Sequence, residues 1–125
     1  MSERDTIDID VSSYYIEQQS NPEADRFVFG YTITIRNDGD VPAQLLTRHW
    51  IITDANGKVQ EVRGAGVVGE QPYLQPGEDF QYSSGAILET SVGAMQGSYG
   101  MRDDNGELFD APISAFTLAV PGVLH

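Results

Sequence analysis

Residues 27 to 36 alternate without a break. Phe27, Phe29, Tyr31, Ile33 and Ile35 interleave with Val28, Gly30, Thr32, Thr34 and Arg36. A period of two places the two sets on opposite faces of an extended chain, whereas a helix would scatter both around its circumference. The segment is therefore a strand with one face on a core and the other toward solvent. Ile7, Ile9, Val11 and Tyr15 repeat the pattern against Asp8, Asp10 and Ser12. Further strands are expected over Ala43–Thr53, with Leu46, Trp50 and Ile52 as core, over Lys58–Arg63, and over Glu78–Leu88, with Phe80 and Tyr82 on one face. Met95, Gly97, Tyr99 and Met101 alternate again, as do Phe116, Leu118 and Val120.

The breaks between these runs have turn chemistry. Asn37-Asp38-Gly39-Asp40 ends the clearest strand, Asn56-Gly57 and Asn105-Gly106 supply the positive φ angles of tight hairpins, and Pro76-Gly77 marks a sharp bend. A polar loop covers Gln18–Asp25, and nothing reads as a long helix. Seven to nine short strands joined this way indicate an all-β, antiparallel β-sandwich of immunoglobulin-like or fibronectin type III-like form. The lone Trp50, buried between the sheets, fits that architecture. A chain of 125 residues is expected to be one domain, residues 1–125.

Composition removes several function classes. Without cysteine there is no disulfide framework, no thiolate metal site and no cysteine nucleophile. Seven basic residues against nineteen acidic ones give a net charge of −12, which repels a phosphate backbone, so no nucleic-acid partner is expected. The apolar runs are too short to span a bilayer and the N-terminus has no apolar signal region. A cytoplasmic location without membrane insertion is expected.

Gly64-Ala65-Gly66-Val67-Val68-Gly69 matches the G-x-G-x-x-G spacing that cradles a pyrophosphate. That chemistry needs a helix immediately afterwards, and Pro72, Pro76 and Gly77 stand there instead. Two readings stand. In one, the amides of Gly64–Gly69 form an anion-binding nest, with Arg63 and Arg48 adding charge for a phosphate or a partner carboxylate. In the other, favoured because the helix dipole is missing, the glycines allow positive φ where the chain crosses between sheets. The segment through the two prolines is expected to be the longest irregular region.

Within Arg48-His49-Trp50, an inward Trp50 puts Arg48 on the core side and His49 outward. A histidine with no nearby His or Cys is a poor metal site. Asp103-Asp104-Asn105-Gly106-Glu107 carries calcium-ligand types but lacks the twelve-residue loop, and reads as a hairpin. Asp8 and Asp10, with Glu3 and Asp5 upstream, leave weak divalent binding open at the acidic surface. His125 is terminal and gives no site. A nucleophilic Ser83 or Ser84 would need His49 as base, and nothing in the sequence places them together.

Leu45–Lys58, Val62–Pro72, Leu74–Glu78, Tyr82-Ser83-Ser84-Gly85 and Gly97–Met101 together closely resemble the bacterial ApaG family. The resemblance covers nearly the whole chain. It implies a fibronectin type III-like sandwich and a genetic link to cobalt resistance and magnesium efflux, the source of the alternative name CorD. Family gene neighbours include a diadenosine tetraphosphate hydrolase gene. Related domains in F-box proteins and a DNA polymerase delta-interacting protein act as protein-binding modules. The resemblance brings no catalytic residue and no cofactor. The expectation is a non-enzymatic module that contacts another protein through Arg48, Arg63, Gly64, Gly66 and Gly69. Alternatives are a nucleotide or pyrophosphate binder through Gly64–Gly69, or a weak divalent-metal binder. Monomer and dimer both remain open.

Overall fold

The alternating segment forms β2, Phe27–Asn37, the middle strand of a three-stranded antiparallel sheet. Its neighbours are β1, Ile7–Tyr15, and β6, Asp79–Leu88. The computed structural model describes residues 6–122. The second sheet holds β3, Ala43–Asp54; β4, Val59–Ala65; β5, Tyr73–Leu74; β7, Val92–Asp103; and β8, Leu108–Ala119. Its order is β4-β3-β7-β8, with the two-residue β5 paired to the start of β3. All strand pairs are antiparallel. Eight strands in two sheets make the expected sandwich. There is no α-helix among the described residues, and the polar loop holds two short 3-10 turns, Glu17–Gln19 and Pro22–Ala24.

The two inner faces close over Phe29, Ile33 and Ile35 from one sheet and Leu45, Tyr99, Met101 and Leu118 from the other, all fully or almost fully buried. Trp50 lies between the sheets as expected. Its ring meets Tyr31 at 5.5 Å, Phe116 at 5.9 Å and Tyr99 at 6.3 Å, each edge-on, the geometry that the aromatic quadrupole favours.

The alternation in β3 does not run straight through. Leu46, expected in the core, is half-buried, and Leu45 is the buried residue. The reason is a β-bulge: Leu45 pairs with Met101 and Thr47 with Gly100, so an extra residue is inserted and the inward phase moves from odd to even positions. A second bulge, between Ile113 and Phe116 of β8, keeps both residues on the inner face. Unlike Leu46, the residues after the first bulge keep their expected phase.

Both Asn-Gly hairpins form, and one device holds each. The Asp54 carboxylate accepts the amides of Asn56 and Lys58, at 2.9 Å each, and Asp103 accepts those of Asn105 and Glu107, at 2.9 and 3.0 Å. Gly57 and Gly106 both sit at φ +83°. The acidic 103–107 segment is thus a hairpin whose buried carboxylate is engaged by its own turn. Asn37, 1% exposed, latches the loops beside the Asp103 hairpin at the same end of the sandwich. Its Nδ2 donates to the carbonyls of Val41 and Leu74, and its Oδ1 accepts the Gly39 amide.

The irregular stretch is shorter than the sequence suggests, because Gly64 and Ala65 complete β4, and β5 forms before Pro76.

Candidate functional site

The sheets have unequal widths, and that creates the site. β1 lies over β8 on one flank, where the Ser13 hydroxyl donates to the Thr117 carbonyl. On the other flank the three-stranded sheet ends at β6, while the wider sheet continues to β4. With β3 on one side only, six of the seven β4 residues are exposed. At its two ends the hydrogen-bonded pairs with β3 are Gly66 to Leu46 and Asp54 to Lys58. Antiparallel ladders alternate, so even-numbered β4 residues bond β3 and the peptide groups of Val59, Glu61 and Arg63 point to solvent.

Arg48 pairs across the strands with Gly64. The even phase after the bulge turns its side chain inward, beside Trp50, and the guanidinium lies against the bare Gly64 Cα. A Cβ there would come within 2.7 Å of Arg48 Cζ. Nη1 donates to the carbonyls of Ala65 and Gly66, at 3.0 Å each. The chain then reverses. Gly66 has φ +63°, a Cβ on it would collide with the Glu70 carbonyl, and Gly69 lies at φ +80°.

The segment's amides are already engaged at key places. The Gly66 amide donates to the Leu46 carbonyl, and Val67 and Glu70 exchange amide–carbonyl bonds at 2.8 and 2.9 Å. A nest offers amides to an anion. Here carbonyls are offered to a guanidinium, which is the opposite polarity. Gly66 and Gly69 supply the expected positive φ of a turn, but the chain does not cross between sheets here, since β4 and β5 both pair with β3, and Gly64 is a strand residue without positive φ.

The expected site residues divide between two faces. Arg48 and Gly69 line the mouth between the sheets, with Gly64 and Gly66 against Arg48, while Arg48 and Gly64 also border a depression on the outer face together with His49, Arg63 and Asp110. Arg63, paired with His49, is on the outer face of the wide sheet. There His49 Nε2 lies 2.6 Å from Glu61 Oε2, and Arg63 Nη2 lies 3.1 Å from the same oxygen. The hydrogen bond from His49, helped by Arg63, holds the Glu61 carboxyl below the usual range. His49 faces outward as expected, whereas Ser84 faces inward with Tyr31 and Ser83 bonds Thr32 at 2.7 Å.

Sequence reasoning missed the residues that face Arg48. A cleft of about 220 Å³ opens between the sheets, walled by Trp50 and Val67, with Tyr31, Tyr82 and Ser84 opposite Arg48. Burial raises the Tyr31 hydroxyl, against opposing effects of the Ser84 hydroxyl and Arg48. Burial pushes Tyr82 up to about 12, and its hydroxyl is 2.5 Å from that of Tyr99. Tyr31 and Tyr82 were legible as inward residues. Their convergence on Arg48 depends on how the sheets are superposed, which alternation does not encode.

Among the described residues, no group of three His, Cys, Asp or Glu is arranged to hold a metal ion. Asp8 and Asp10 face Arg36 and Thr34 across β1 and β2. Glu3, Asp5 and His125 lie outside the described residues. No helix among those residues is long and apolar enough to cross a membrane.

A family model described as the ApaG domain matches residues 17–103. The chain is 60% identical over 124 residues to Protein ApaG of Azoarcus sp. strain BH72, covering 99% of this chain and 98% of that protein. It is 63% identical over 119 residues to Protein ApaG of Thiobacillus denitrificans, covering 95% and 94%. Among solved structures it superposes on the putative ApaA protein from Bordetella pertussis with a TM-score of 0.91 and 49% identity, covering 94% and 95% of the two chains.

Proposed function

The chain belongs to the ApaG family, and on that premise we propose that it is a non-enzymatic binding module that acts by contacting another protein. The open flank supplies the contact: the β4 edge, the Gly66–Glu70 turn and Arg48. One observation carries the reading. β4 is a seven-residue strand paired on one side only, exposed along six of its residues, with the peptide groups of 59, 61 and 63 aimed outward. Such an edge is a template for a strand from another chain. In this reading the link to cobalt resistance and magnesium efflux runs through the bound protein, with no ion moved by this chain. The nucleotide alternative is disfavoured because the Gly66 and Val67 amides are already bonded.

The test is affinity capture from a native lysate with wild type, Arg63→Glu and Arg63→Pro as baits. Proline at 63 removes one outward donor and spares the β3 ladder. The reading expects both variants to lose proteins that wild type retains. Identical partner sets would refute this surface.

A further inference from the structure

We infer that the cleft at Arg48 receives a single carboxylate group from a partner polypeptide. This rests on the binding-module reading and adds the chemistry of recognition, at a place beside the β4 edge and distinct from it.

Arg48 is half-buried, and among the described residues it makes no ion pair with a carboxylate. Arg36, Lys58 and Arg63 each meet an acidic side chain, whereas Arg26 and Arg102, like Arg48, make no such pair among the described residues. Arg48 differs from Arg26 and Arg102 in being half-buried where they are exposed. It is also held in place. Gly64 leaves room for it, and the Ala65 and Gly66 carbonyls occupy Nη1 alone, leaving the other donors of the fork available.

The groups facing the guanidinium are equally selective. Tyr31 and Ser84 bring hydroxyls, which can donate to an anion without opposing it, and the Tyr82 hydroxyl beside them is bonded to that of Tyr99. No acidic side chain lines the cleft, and Trp50 and Val67 make its walls apolar. The volume of about 220 Å³ accommodates a carboxylate and its first carbons. One fixed positive charge matches one negative charge, and a planar carboxylate matches the guanidinium fork. A phosphate dianion would leave a charge unmatched, and the acidic surface repels it more strongly.

The carboxylate has two sources of the same chemistry, an acidic side chain or a chain terminus. The test is NMR titration of the folded chain with four probes: sodium acetate, inorganic phosphate, N-acetyl-Ala-Glu-Ala-amide and N-acetyl-Ala-Ala with a free terminus. The Arg48 Nε–H and the Ala65 and Gly66 amides are followed. The expected result is a saturable shift with acetate, a tighter one with one of the two peptides, which names the source, and phosphate no tighter than acetate. Arg48→Gln should abolish the shifts and Arg63→Gln should retain them, with the rest of each spectrum reporting the fold. Arg48→Lys keeps the charge without the fork and should weaken binding about tenfold. The inference is overturned by no saturable acetate shift, by equal shifts in Arg48→Gln, by phosphate binding tighter than acetate, or by acetate binding while neither peptide does. These failures would leave strand addition at β4 standing, and an Arg63→Pro protein that keeps its partners would leave the cleft standing.

Discussion

Gly64→Ala isolates the positioning of Arg48 from the stability of the sandwich. Gly64 is not among the positive-φ glycines, so alanine meets no backbone strain. Its Cβ would stand 2.7 Å from Cζ and Nη2 and 2.8 Å from Nη1 of Arg48, which is impossible without movement. The obstacle is the end of a flexible side chain, so Arg48 swings out and the strand stays. The lost bonds to the Ala65 and Gly66 carbonyls cost about 1–2 kcal/mol, kept low because water can replace the arginine at this half-open site. Restricting the unfolded chain returns about 0.5–1 kcal/mol. The expected net loss is about 1 kcal/mol, read by urea denaturation with an unchanged m-value. Acetate binding, read by NMR, should fall about tenfold or more, as expected when a charge-assisted bidentate contact is lost. A loss above roughly 3 kcal/mol would mean that the backbone had moved. Unchanged acetate binding at normal stability would mean that Gly64 does not set the position of Arg48.

The fold sets three further outcomes. Asn37→Ala strands the Val41 and Leu74 carbonyls and the Gly39 amide at a buried site, and should cost about 2–4 kcal/mol in chemical denaturation. The Tyr82 hydroxyl is raised to about 12 in the folded chain. The stability it contributes is therefore fully present below the unfolded value near 10 and is lost as pH rises through about 12. Between those limits the slope is about 1.4 kcal/mol per pH unit from this residue alone; Tyr82→Phe should flatten the denaturation midpoint against pH in that window. Arg63→Pro should retain the wild-type melting temperature within a few degrees, because position 63 points its amide away from β3, whereas Val62→Pro, which breaks the ladder opposite Trp50, should lower it clearly.

Much of the fold was legible because it is written in alternation and turns. β2 and both Asn-Gly hairpins lie where the residues indicate. Leu46 shows the limit: a bulge inserts one residue into β3, and period-two reading has no term for an insertion. The glycine segment shows another. The missing helix was visible from Pro72 and Pro76, but not that Gly64 makes room for Arg48 inside a strand. Arg48 was legible as inward from its spacing to Trp50. Grouping it with Arg63 rested on proximity to the glycines; the strand phase aims the two side chains at opposite faces, although both residues border one outer depression. Tyr31 and Tyr82 reach the site through sheet-on-sheet packing, a long-range outcome that local patterns do not carry.

The most direct test of the open flank is site-specific photo-crosslinking in living cells. A photoreactive side chain replaces Val59, 59% exposed on β4, or Asp110, exposed on β8 at the opposite flank. If β4 receives a strand from another protein, the probe at 59 gives a discrete higher-mass adduct that Arg63→Pro removes, and the probe at 110 gives none. An adduct from 110 alone, or one from 59 that persists unchanged in Arg63→Pro, would contradict strand addition at β4.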